Sequence, residues 1–166
     1  MPVTYKKIAS VTVGAGGAAN MQFTSIPGTY TDLMLLWTMR GTAGSAVATY
    51  ISFNSSTSNF SARYLYGDGA SATSGTLARY IGSCPGTNFT ASTFANSSLY
   101  IPQYAGSTNK SYSVDNVDEN NGTGADANLV AGLWSDTSAI TSIALTLASG
   151  NFVQHSTATL YGISKS

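Results

Sequence analysis

Charge is what this sequence has least of. Of its 166 residues 8% are charged, seven basic against seven acidic, for a formal net charge of zero. Soluble domains ordinarily carry about 25%. A protein that binds nucleic acid by displacing counterions needs a basic patch, and this balance leaves none to expect. Histidine and cysteine are represented once each, by His155 and Cys84. A single cysteine excludes an internal disulfide framework, and its expected role is that of a small buried hydrophobe. Long apolar runs are missing too. The longest, Leu33 to Trp37, falls far short of the ~20 residues a membrane helix needs. Nothing apolar follows Lys6 and Lys7 in the manner of a secretory leader, so a soluble, unprocessed chain is expected.

The scarcity of charge is not the signature of disorder, because 43% of the residues are hydrophobic and 11% aromatic. Small neutral residues fill the gap: 24 Ser, 21 Thr, 21 Ala and 17 Gly make up half the chain. Ser and Thr keep a surface hydrated without charge, and Thr suits a pleated strand.

The periodicity is that of strands. Ile143, Leu145 and Leu147 alternate with Ala144 and Thr146, Ile51 and Phe53 bracket Ser52, and Leu99 and Ile101 bracket Tyr100. Period-two alternation places such residues on one face of a half-buried strand. Turn formers separate the runs, among them Pro27-Gly28, Gly67-Asp-Gly69, Pro85-Gly86 and Gly150-Asn151. The pattern predicts an all-β antiparallel sandwich of about eleven short strands, forming one domain over residues 1–166. Leu33-Met-Leu-Leu-Trp37 is apolar at both alternating sets, which predicts a central strand covered on both faces. The polar stretch from Asp115 to Asn128 reads as one long loop.

Catalytic chemistry finds little support. No Gly-x-Ser-x-Gly surrounds any serine, His155 lies in a polar stretch, and the Gly-Lys-Ser/Thr of a phosphate loop is absent. The expectation is a protein that is not an enzyme and has no cofactor. The acidic group Asp115, Asp118, Glu119 and Asp126 is rich enough in oxygen for calcium, but its spacing matches no calcium loop and a solvated acidic loop is favoured. Aromatic residues are the better candidates for recognition. Trp37 sits in the most apolar run and is expected in the core. Trp134, beside the turn Ser135-Asp136, is expected as a partly exposed anchor, and Tyr100 and Tyr104 are possible stacking platforms.

Two segments carry a resemblance. Phe23-Thr-Ser-Ile-Pro-Gly-Thr-Tyr-Thr-Asp-Leu33 resembles the F-x-S-I-P-x-x-Y-T-D-L signature of small tailed-bacteriophage virion proteins. Ile140-Thr-Ser-Ile-Ala-Leu145, Gly150-Asn-Phe152 and Ser156-Thr-Ala-Thr-Leu-Tyr-Gly-Ile163 resemble the ending of the same group. The resemblance implies a jelly-roll-like sandwich on the particle surface. The leading expectation is a capsid decoration (cement) protein of the virion that clamps major capsid protein subunits as a homotrimer. The alternative is a tail-fibre or receptor-binding domain that recognises host glycans through Trp134, Tyr100 and Tyr104.

Overall fold

The computed structural model describes residues 4–121 and 124–164. Its first six strands are β1 (Thr4–Thr12), β2 (Asn20–Phe23), β3 (Asp32–Met39), β4 (Val47–Phe53), β5 (Phe60–Gly67) and β6 (Ala72–Thr76). The second six are β7 (Tyr80–Cys84), β8 (Ala95–Ile101), β9 (Lys110–Asp118), β10 (Asp126–Trp134), β11 (Ile143–Leu147) and β12 (Thr157–Ser164). No helix occurs among the described residues, and all strand pairs are antiparallel. The protein is an all-β sandwich.

One sheet has eight strands in the order β1-β12-β3-β8-β9-β10-β5-β6; the other has four, β2-β11-β4-β7. The pairing is nested: β1 with β12, β2 with β11, β3 with β8 and β4 with β7. The chain behaves as one long hairpin wound upon itself, its successive strand pairs falling alternately into the two sheets. Two inserted hairpins, β5–β6 and β9–β10, lengthen the large sheet beyond β8.

The core lies between the sheets and follows the alternation. In β3, Leu33, Leu35, Trp37 and Met39 are buried; in β4, Val47, Ile51 and Phe53; in β11, Ile143 and Leu145. Each large side chain so removed from water contributes about 1.5–3 kcal/mol against the entropy of ordering the chain. Cys84 is buried and free, and burial pushes its thiol up to about 12.

Three expectations need correction. Twelve strands occur among the described residues, because the short hairpin strand β6, built of Ala, Thr, Ser and Gly, has no large apolar residue to reveal it. Residues Asp115 to Asn128 are not one loop. Strand β9 continues to Asp118 and β10 begins at Asp126, with Tyr112, Val114, Asn116 and Asp118 all on the buried face. The apolar run of β3 is central, between β12 and β8, but is covered on one side only. Leu36 points away from the core and is 42% exposed.

Candidate interaction surface

The outward face of the eight-stranded sheet has no second layer over it among the described residues. Register aligns Leu36, Ser98, Asp115, Leu129, Leu65 and Ser74 in one row across six strands. Val117 lies in the adjacent row, between Asn96 and Ala127. Leu129 is 60% exposed, Leu65 59% and Val117 39%. Two open grooves run over this face. One, of about 420 Å³, is lined by Leu36, Thr38, Asn96, Asp115, Val117 and Tyr161. The other, of about 560 Å³, is lined by Arg63, Leu65, Ser113, Leu129 and Ala131.

Electrostatics sharpen the picture of this face. Asp32, Arg40, Lys110 and Asp118 are buried, so the exterior of the described residues is about as poor in charge as the composition. Arg40 donates to the backbone oxygens of Phe89, Thr90 and Thr93 at 2.8–3.0 Å. Lys110 donates to the carbonyls of Gly106 and Thr108. Both cations are used as loop clamps. Along β3, β8, β9 and β10, Asp115 is the only exposed charge facing outward among the described residues. On this face the adjacent Leu129 and Leu65 gain from apolar burial, with Leu36 farther along the row, while Asp115 beside Leu129 must keep water or meet a donor. The paired leucines have the chemistry of an interface core.

The opposite side of the same strands is polar in a different way. Where β7 crosses over β9 and β10, the Asn116 side chain acts as an extra strand partner. Its Oδ1 accepts from the Ser83 N–H, and its Nδ2 donates to the Ser83 carbonyl, both at 3.0 Å. Nδ2 also donates to Ser97 Oγ at 2.7 Å. Gly82 makes room for this: it adopts φ +106°, and a Cβ there would stand 2.3 Å from the Asn116 side chain. Asn128 donates to Asn116 Oδ1 and Asp126 Oδ1, and Tyr80 donates its hydroxyl to Asn128 Oδ1 at 2.9 Å. Burial raises the carboxyl of Asp126, an effect opposed by hydrogen bonds from Ser83 and Asn128. Burial also pushes Asp118 up to about 6, with Asn120 opposing it and Asp126 adding to it.

The structure separates the aromatic residues singled out in the sequence. Trp134 is 1% exposed and is not an anchor. It closes β10 from the inside, its ring 5.5 Å from that of Phe53 and 6.0 Å from that of Phe60. The neighbouring turn misleads, because the inward face of the sandwich extends to the last residue of the strand. Tyr104 is fully buried and donates its hydroxyl to the Pro27 carbonyl, so it is not a stacking platform either. Tyr100 is half-buried and donates to Asp32 Oδ2 at 2.9 Å. Trp37 is in the core, and His155 is exposed in a turn with φ +72°. The acidic group does not converge: Asp115 faces outward while Asp118 and Asp126 face inward as register partners. No cluster of three or more potential metal-binding His, Cys, Asp or Glu occurs among the described residues.

The exposed row Leu36, Leu129 and Leu65 was not singled out in the sequence. Leu65 and Leu129 lie between half-buried or buried neighbours, and only strand register shows that they stand side by side. Comparison with protein-family models and with curated proteins finds no match.

Proposed function

We propose that the chain is a structural protein of a tailed-phage virion, a decoration protein that binds the head shell through the outward face of its eight-stranded sheet. The observation that carries the reading is the row of exposed leucines on a large, weakly charged sheet face. Docking Leu65 and Leu129 against a partner contributes about 1–2 kcal/mol each. The nested pairing of β1, β2, β3 and β4 with β12, β11, β8 and β7 supports a jelly roll with two added hairpins. The segment from Phe23 to Leu33 supports the virion assignment by resemblance, and in this fold it ties loops together. Ile26 N–H donates to the Thr141 carbonyl, and Asp32 accepts from Gln103 N–H and Tyr100.

In this reading the partners are further copies of the chain, as a closed trimer, and the major capsid protein. A cyclic trimer uses a heterologous contact that closes on itself, and binding only the assembled shell stabilises it by mass action. The alternative of a glycan-binding tail domain loses Trp134 and Tyr104, two of its three platforms, to the core.

Copy number tests the assignment. Gel electrophoresis of purified particles is expected to show the chain at capsid-like abundance, and immunogold labelling is expected over the head. A few copies confined to a tail tip would overturn the decoration reading.

A further inference from the structure

Behind the outer face, on the core side of the overhanging strands β5 and β10, lies a pocket of about 240 Å³ lined by Tyr64, Tyr66, Leu77, Tyr80, Asp126 and Asn128. The small sheet ends at β7, so β5 projects past its cover and its inward aromatic residues remain half-buried. The Tyr64 ring lies 4.9 Å from that of Tyr80 and 6.5 Å from that of Tyr66. Three tyrosines and one carboxylate therefore share a small recess.

Its hydrogen-bonding capacity is one-sided. The Asn128 amide, which lines the floor, is committed to Asn116, Asp126 and Ser83, and its oxygen is taken by Tyr80. Asp126 accepts from Ser83 and Asn128, two neutral donors, and no lysine or arginine among the described residues pairs with it. Asp68, in the turn between β5 and β6, adds a second negative charge to the surroundings. A partly desolvated carboxylate without a counter-ion, beside aromatic rings and with its amide donors already used, suits a ligand that brings positive charge and apolar surface. A neutral sugar would need donors from the pocket to match its hydroxyl oxygens, and with the Asn128 floor committed that falls to the hydroxyls of Tyr64 and Tyr66.

We propose that this pocket binds an ammonium group, its charge set against Asp126 and its methyl or methylene surface against Tyr64 and Tyr66. The group could be carried by a free quaternary ammonium compound or by a lysine side chain of a partner, and the experiment separates the two. The proposal is independent of the virion assignment.

The test is a titration of the ¹⁵N-labelled full-length chain, followed by NMR, with tetramethylammonium chloride in one arm and Nα-acetyl-lysine amide in the other. Sodium chloride at matched ionic strength and glucose serve as controls. Saturable shifts at Tyr64, Tyr66 and Asn128 in either arm support the site, and the stronger arm identifies the source. Asp126→Asn is expected to weaken binding about tenfold or more, and Tyr66→Leu about three- to tenfold. Tyr66→Leu keeps apolar cover on a half-buried position and guards against a misfolded Asp126→Asn. Absence of saturable shifts in both arms would overturn the proposal. So would shifts matched by sodium or glucose, or binding unchanged in a folded Asp126→Asn chain.

Discussion

Asn116 shows how much a single side chain can carry in this fold. It stands on the inward face of β9 and supplies both a donor and an acceptor to the backbone of Ser83, on a strand otherwise paired on one side only. Asn116→Ala would leave the buried N–H and C=O of Ser83 without partners, and a loss of about 2–4 kcal/mol is expected in denaturant unfolding. Gly82→Ala strikes the same contact from the other side, through both the positive φ and the collision with Asn116. A cost of about 2–3 kcal/mol is expected there. In a double-mutant cycle the two should be far from additive.

Asp118 makes the opposite prediction. It is buried with Oδ2 lacking a hydrogen-bond partner, and its carboxyl is raised from 3.8 to about 6 by burial. Glu119 and Asp126 push in the same direction, while Arg40 and Asn120 push back. Between those two values the folded chain holds a proton that the unfolded chain has released. This group's contribution therefore favours folding increasingly as pH falls through about 6, and levels off below the unfolded value. Asp118→Asn is expected to stabilise the protein at neutral pH by on the order of 1 kcal/mol. It should also flatten the rise in melting temperature expected from this group as pH falls from about 6 towards 3.8.

At the scale of elements, the sandwich manages its edges unequally. Edge strand β1 carries Lys6 and Lys7, with a register irregularity between Lys7 and Ala9; both features discourage a neighbouring chain from pairing. Edge strand β6, Ala-Thr-Ser-Gly-Thr, has no charge but is only five residues long. The loop between β7 and β8 is held by the Arg40 guanidinium, through Phe89, Thr90 and Thr93. Arg40→Met keeps much of the stem volume and removes every one of those bonds. Amide hydrogen exchange over residues 87–94 is expected to accelerate, with an overall loss of about 2–4 kcal/mol.

At the scale of the whole molecule, the question is what covers the outer face. Leu65 and Leu129 pair directly across β5 and β10 and touch the core side of neither strand. Replacing both with Lys is expected to leave unfolding within about 0.5 kcal/mol of the parent, as surface changes do. The same pair of changes should abolish binding to particles stripped of this protein, measured by co-sedimentation. Undiminished binding would move the interface elsewhere on the chain. Much of the fold could be read beforehand, since the alternation of Ile51 and Phe53, or of Ile143 and Leu145, reports a buried face directly. The proposed interaction surface could not, because Leu36 and Leu65 look like any other strand leucine until their neighbours are known. Polar residues misled for the converse reason: Asn116, Asp118, Asp126 and Asn128 occupy inward positions, where sequence composition suggests a loop.

By itself the sequence determined the class of the protein. Period-two patterning, frequent turns and scarce charge specify antiparallel strands with a neutral surface, because side-chain direction along a strand is a local property of the backbone. Only the tertiary structure decided which side chains water can reach. Trp134 and Leu129 sit on the same strand, five residues apart and on opposite faces. One face is closed by the four-stranded sheet and the other is left open by the described residues. That difference depends on which strands lie opposite, and those strands come from distant parts of the chain.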